Sequence, residues 1–215
     1  MSGLENMIID MVKSWFDTMG WWAIVIAMAI ESACIPLPSE ITMPLAGWLM
    51  VAERHLGWPG VFVAGFDGAL GNLIGSLIAY YLGVYAGRPL IERYGKWVLL
   101  TGKDIDRAEA FFENRGEWAV FISRLLPVVR TFISIPAGVA RMSVWRFSVM
   151  TFVGSFIWSI PLVAVGYKWG PEWESFRAHM RVLDYPIMAV IVLGALWFGW
   201  HRVQDIRTAA ELSGD

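Results

Sequence analysis

The 215-residue chain is 57% hydrophobic and only 17% charged, with a formal net charge of −2. Soluble domains carry about 25% charged residues, so this composition and a mean hydropathy of +0.53 argue for a membrane protein, and 13 Trp with 12 Phe suit two aromatic-rich bilayer interfaces. The dispersed basic residues offer no stripe for nucleic acid, and His55, His179 and His201 lack ligand-like neighbours at helical spacing, so neither a metal site nor a cofactor is expected.

Residues 1–19 carry Glu5, Asp10 and Asp17 and have neither a basic leader nor a small-residue cleavage site, so a removable signal peptide is not expected. Ile8, Ile9, Met11, Val12, Trp15 and Phe16 form the apolar side of a short amphipathic helix. It either lies in the bilayer interface or is a plain first helix of the fold.

Residues 21–87 read as a hairpin followed by a spanning helix. Trp21 to Ala52 is apolar throughout but holds Glu31, Pro36, Pro38, Glu40 and Pro44, while Cys34 reads as a small buried hydrophobe. Proline removes a backbone donor and clashes with the preceding turn, so one continuous helix is excluded. Broken backbone at membrane depth must be buried in protein or line a wet cavity. The stretch is therefore expected to be a re-entrant hairpin whose half-helices meet at Pro36 and Pro38. Gly60 to Gly87 is long enough to span, since about 20 apolar residues suffice.

Residues 88–115 alternate bases (Arg88, Arg93, Lys96, Lys103, Arg107, Arg115) with acids in a helical pattern. This predicts an amphipathic surface linker, placed in the cytoplasm by the Lys and Arg bias. Residues 116–170 repeat the first plan: Trp118 to Ala140 is apolar but holds Arg124, Pro127, Arg130 and Pro136, and Phe147 to Trp169 spans. A shorter apolar run over 185–201 predicts a C-terminal spanning helix, with Glu172 to Asp184 as an outside loop.

The two halves also match residue by residue. Aligning Pro36 with Pro127 brings Gly47 onto Gly138; aligning Gly71 with Gly154 brings Ser76 onto Ser159, Gly83 onto Gly166 and Gly87 onto Gly170. The expected fold is an all-α polytopic membrane protein built as an inverted repeat of hairpin plus spanning helix, a common transporter plan. The first hairpin would enter from the periplasm and the second from the cytoplasm.

Four ionisable residues carry the chemistry: Glu31 and Glu40 in the first hairpin, Arg124 and Arg130 in the second. A charge at bilayer depth costs about 2.5–3.5 kcal/mol even on the lenient insertion scale, so such residues seek partners or a cavity. They either pair to hold the hairpins together or form a site. In the functional reading Arg124 and Arg130 bind phosphate, whose oxygens match the guanidinium fork. The helix starts at the Pro127 and Pro136 breaks would add free donors, and Glu31 and Glu40 would couple binding to protons. Asp67 stands near one end of the first spanning helix, and Asn72, flanked by Gly71 and Gly75, reads as a helix–helix hydrogen bond.

The run FISRLLPVVRTFISIPAGVARMSVWRFSVMTFVGSFIWSIPLVAVGY resembles the signature half of the DedA family, also called the SNARE-associated or VTT domain. Arg124, Pro127, Arg130, Pro136-Ala137-Gly138 and Arg141-Met142 match its motif, and Glu31, Pro36, Pro38 and Glu40 match the acidic, proline-rich first half. The resemblance covers about Trp21 to Gly170. It implies a bacterial inner-membrane protein with two facing re-entrant hairpins, and its essential acids and arginines map onto Glu31, Glu40, Arg124 and Arg130. Many members carry Asp where Asn72 stands here. The implied activity is proton-dependent translocation of a phosphate-bearing lipid such as undecaprenyl phosphate, with membrane lipids and protons as partners. A proton-dependent small-ion or drug antiporter would use the same charged core. A membrane-embedded lipid phosphatase would need a nucleophile, for which Ser123 is the nearby hydroxyl.

Overall fold

Away from water a backbone can satisfy its own N–H and C=O groups within one segment only as a helix, and the computed structural model is helical over its regular elements. It describes residues 3–33, 38–94, 102–126 and 129–172. The chain divides into two compact units, Met1–Pro171 and Glu172–Asp215, and apart from Glu172 the described residues belong to the first. Cys34, Pro36, Pro127 and the expected helix at 185–201 lie outside the described residues.

The helices in chain order are α1 (Gly3–Met19), α2 (Trp22–Ser32), α3 (Ser39–Ala46), α4 (Gly57–Tyr94), α5 (Gly102–Arg124), α6 (Val129–Phe132), α7 (Ser134–Val139) and α8 (Val144–Trp169), with a π-helical turn at Gly47–Ala52 after α3. Two are long and apolar enough to cross a membrane, α4 over its Gly57–Tyr85 part and α8. At 1.5 Å per residue the 26 residues of α8 extend about 39 Å, beyond a hydrocarbon core of about 30 Å. Helix α4 continues to Tyr94 through the first charges of the expected linker, and α5 passes residue 115 without a break. A change from polar to apolar composition moves a helix between environments but does not interrupt its hydrogen bonds.

Prolines act according to their place in the turn. Between α2 and α3 the chain breaks, and Pro38 caps α3 in an extended conformation (φ −73°, ψ 120°). Helix α6 gives way to α7 at Ile133, and Pro136 follows as the third residue of α7, in the first turn, where its missing N–H is not needed. Pro44 lies inside α3, just before the π-helical turn, and Pro161 lies inside α8.

The two long helices turn large apolar side chains outward and small polar ones inward. Phe62, Phe66, Ile78 and Leu82 of α4 and Val153 and Ile157 of α8 are exposed, whereas Asn72, Ser76, Thr151, Ser155 and Ser159 of the same helices are buried. Water would reverse that preference; lipid accommodates it. Glycines permit the close helix approaches. Along α2, the Val25 carbonyl abuts Gly71 and the Ala29 carbonyl abuts Gly75 of α4. Gly47 meets Val163 and Tyr167 of α8, with the Tyr167 nitrogen 2.8 Å from where a Cβ would stand, and Gly166 abuts the Pro44 carbonyl. Gly138 of α7 meets the Tyr80 carbonyl of α4, and Gly83 meets Ile135 and Val139. An aromatic cluster of Tyr80, Phe112 and Phe147 with Val120, Ala137 and Met142 seats α4, α5, α7 and α8 together.

Helix α7 ends in a reverse turn that brings Arg141 to φ +48°. The Arg141 N–H donates to Gly138 O and the Met142 N–H to Ala137 O, the paired bonds of a Schellman ending. The buried Tyr80 hydroxyl donates to Met142 O and ties this ending to α4.

Candidate functional site

The breaks in the two proline-rich stretches bring charged side chains together. Glu31 sits one residue from the end of α2, Ser39 begins α3, Arg124 ends α5 and Arg130 lies in α6. Their side chains are all but sealed: Arg124 is 2%, Arg130 4% and Glu31 6% exposed.

Arg130 and Glu31 form the central pair. Arg130 Nη2 donates to Glu31 Oε1 and to the Ser39 hydroxyl. The Ser39 backbone N–H at the start of α3 also donates to Glu31 Oε1, at 3.4 Å, where the helix dipole favours negative charge. Glu31 Oε2 is buried with no hydrogen-bond partner. The guanidinium lies over the Trp158 ring of α8, 5.3 Å from its centroid, close enough for a cation–π contact. Half the carboxylate is thus firmly held and half is not.

Arg124 does a different task from the one its spacing suggests. Its Nη1 donates to the Arg130 carbonyl at 2.6 Å and its Nη2 to the Ser134 hydroxyl at 2.9 Å. Its guanidinium lies 5.7 Å from the Phe147 ring centroid, and its Cβ lies 2.7 Å from where a side chain at Gly154 would begin. It fastens the end of α5 to α6 and α7 by the backbone of Arg130 itself. The two arginines share one network, but they do not point two open forks at a common space.

Glu40, half-buried in the first turn of α3, stands near enough to Glu31 for the two charges to repel, outside the hydrogen-bonded group. Pro38 and Pro136 shape the approach of the backbone; Pro36 and Pro127 fall outside the described residues. Asn72 makes the helix–helix bond its glycine neighbours suggest, accepting from Ser32 Oγ. Ser123, the hydroxyl beside Arg124, donates to Val120 O at 2.6 Å, a bond within its own helix. Sequence reasoning missed Ser39, Ser134 and Trp158. The small hydroxyls carry no signal of their own, whereas a Trp midway along a spanning helix was there to be noticed.

A family model described as the VTT domain matches residues 35–168. Among curated proteins, the chain is 37% identical over 193 residues to undecaprenyl phosphate transporter A of Bacillus subtilis (strain 168), covering 89% of this chain and 93% of that one. It is 32% identical over 193 residues to the protein of the same name in Staphylococcus aureus (strain NCTC 8325 / PS 47), covering 88% and 93%. A relative named alkaline phosphatase-like protein, from Lactococcus lactis subsp. lactis (strain IL1403), is 32% identical over 200 residues, covering 90% and 88%. No solved structure matches. Together with the apolar outer faces of two bilayer-length helices, these matches make the chain a membrane protein that belongs to the VTT-domain, or DedA, family.

Proposed function

We propose that this protein carries a phosphate-bearing lipid, undecaprenyl phosphate, between the leaflets of a bacterial plasma membrane, and that protons drive it. The observation that carries the reading is the Arg130–Glu31 pair: a sealed guanidinium held by a carboxylate with one unsatisfied oxygen. A phosphate is a better partner for a guanidinium fork than half a carboxylate. When phosphate takes Arg130, Glu31 loses its counter-charge at membrane depth, where an ionised carboxylate is costly, and a proton relieves it. When the proton leaves, Glu31 reclaims Arg130 and the phosphate is expelled. In this cycle Arg130 is the headgroup ligand, Glu31 the proton carrier, Glu40 a second acid of the same stretch, and Arg124 the residue that positions Arg130. The names of two relatives support the choice of lipid.

The architecture suited to this cycle is an inverted repeat of two re-entrant hairpins, multi-pass in the inner membrane. Its support is the reciprocity of the glycine contacts. Gly47 meets Val163 as Gly138 meets Tyr80, and Gly166 meets Pro44 as Gly83 meets Ile135. Val163 and Tyr80 stand three residues before Gly166 and Gly83; Pro44 and Ile135 stand three before Gly47 and Gly138. The same pairs arise by exchanging the halves.

Exchange of labelled undecaprenyl phosphate between leaflets of proteoliposomes tests the reading. Wild type is expected to exchange it faster than empty vesicles, and Arg130→Ala to abolish the difference. Exchange that survives loss of Arg130, or is absent from folded wild type, refutes the phosphate assignment and leaves the ion-antiporter reading. Phosphate released from a lipid pyrophosphate by the purified protein would instead support hydrolysis, the activity suggested by the name of the lactococcal relative.

A further inference from the structure

One buried nitrogen donor beside the charged pair has no acceptor. Trp158 Nε1 and Asn72 Nδ2 are both sealed from solvent without a hydrogen-bond partner, as is Glu31 Oε2. Hydroxyls left unpaired elsewhere in these helices, on Ser76, Thr151 and Ser159, can rotate onto a carbonyl of the preceding turn. The Asn72 carboxamide can likewise reach back along its helix or turn end for end against Ser32 Oγ, but an indole N–H in mid-helix has no such recourse. Leaving it unsatisfied in hydrocarbon costs on the order of kilocalories, so Trp158 Nε1 needs an external acceptor.

The indole is tied to the pair, because the Trp158 ring carries the Arg130 guanidinium. Trp158 is also out of place as a membrane tryptophan. Interfacial tryptophans sit near helix ends, as the exposed Trp145 and Trp169 of α8 do, whereas Trp158 is the fifteenth of the 26 residues of α8.

Resting on the phosphate-lipid reading, we propose that Trp158 Nε1 is a neutral donor of the headgroup site, and that with Arg130 it selects a terminal phosphomonoester over a phosphodiester. Arg130 offers a two-pronged fork from α6 and Trp158 a third donor from α8, and a phosphomonoester presents three unsubstituted oxygens where a diester presents two. A neutral donor holds the phosphate without adding a charge that would have to be neutralised when the site empties. Selectivity is therefore separate from the charge exchange between Arg130 and Glu31.

The experiment is binding to the full chain in nanodiscs, with undecaprenyl phosphate, undecaprenol, phosphatidylglycerol and inorganic phosphate as probes. Wild type is expected to bind undecaprenyl phosphate at least tenfold more tightly than phosphatidylglycerol. Trp158→Phe keeps an aromatic face under Arg130 while removing the N–H and part of the ring, and should weaken monoester binding by about tenfold or more, as loss of a hydrogen bond to a charged group does. Phosphatidylglycerol binding should weaken by a smaller factor, and the exposed Trp145→Phe should match wild type throughout. Binding of inorganic phosphate weakened by the same factor supports the donor set and identifies the phosphate, not the chain, as what it reads. Unchanged monoester binding in a folded Trp158→Phe protein overturns the inference while the phosphate reading stands, because the donor then faces water. Equal binding of undecaprenol and undecaprenyl phosphate by wild type overturns both.

Discussion

Replacing Arg130 by Met strips Glu31 of its counter-charge while keeping the bulk of the side chain. In the wild type Glu31 Oε1 is held by Arg130 and by the Ser39 N–H, and both charged side chains are nearly sealed. Breaking a buried ion pair from one side costs about 3–5 kcal/mol, whereas exchanging both partners for apolar residues of similar size is often neutral or stabilising. For a chain of this length about 1 kcal/mol corresponds to roughly 2–4 °C of unfolding temperature, so Arg130→Met is expected to lower it by roughly 6–20 °C. Glu31→Leu should cost a comparable amount, because Arg130 then keeps only Ser39 and the Trp158 ring. The double variant Glu31→Leu/Arg130→Met should be more stable than either single one, a coupling that tryptophan fluorescence during thermal unfolding in detergent can read. Additive losses in the double variant would refute the pairing and the exchange cycle built on it.

Other changes probe the frame around the site. Gly166→Ala and Gly83→Ala each drive a Cβ into a neighbouring carbonyl, of Pro44 and Ile135 respectively; each should cost about 1–3 kcal/mol or more in unfolding assays, and the proposed repeat predicts matched losses at the two positions. Arg141→Gly should raise stability by about 1 kcal/mol, since a non-glycine residue at φ +48° carries a penalty glycine avoids; a loss would show that the Arg141 side chain makes a compensating contact. Tyr80→Phe leaves the buried Met142 carbonyl without its side-chain donor and should cost about 1–3 kcal/mol. Glu117→Ala removes an exposed 3.0 Å pair with Arg146 and should change stability by less than about 1 kcal/mol.

The positions of the two long helices were legible because apolar runs of that length have one structural solution, and the start of α3 was legible in Pro38. Prolines differ in effect. Pro136 falls in a first turn, and Pro44 and Pro161 sit within helices, because the cost of proline depends on which carbonyl it leaves unpaired and what else can reach it. Glu31 and Arg130 could be picked out as expensive residues in an apolar setting. Their pairing could not be told from an Arg124–Glu31 or Arg130–Glu40 pairing, since sequence gives the charges but not which of them converge. The contrasting fates of the arginines are decided by the turn at α6, which presents the Arg130 carbonyl to Arg124. Aligning the two halves picked out Gly47, Gly83, Gly138 and Gly166, and the structure adds that these four meet elements of the opposite half, whereas Gly71 and Gly154 meet their own.

The central claim is that phosphate and proton exchange at one guanidinium, and the most direct test imposes a pH gradient on proteoliposomes holding labelled undecaprenyl phosphate. The account predicts net accumulation of the lipid in one leaflet, reversal when the gradient is reversed, and loss of accumulation in Glu31→Gln. Equal distribution between leaflets whatever the gradient, with wild type and Glu31→Gln alike, would contradict it.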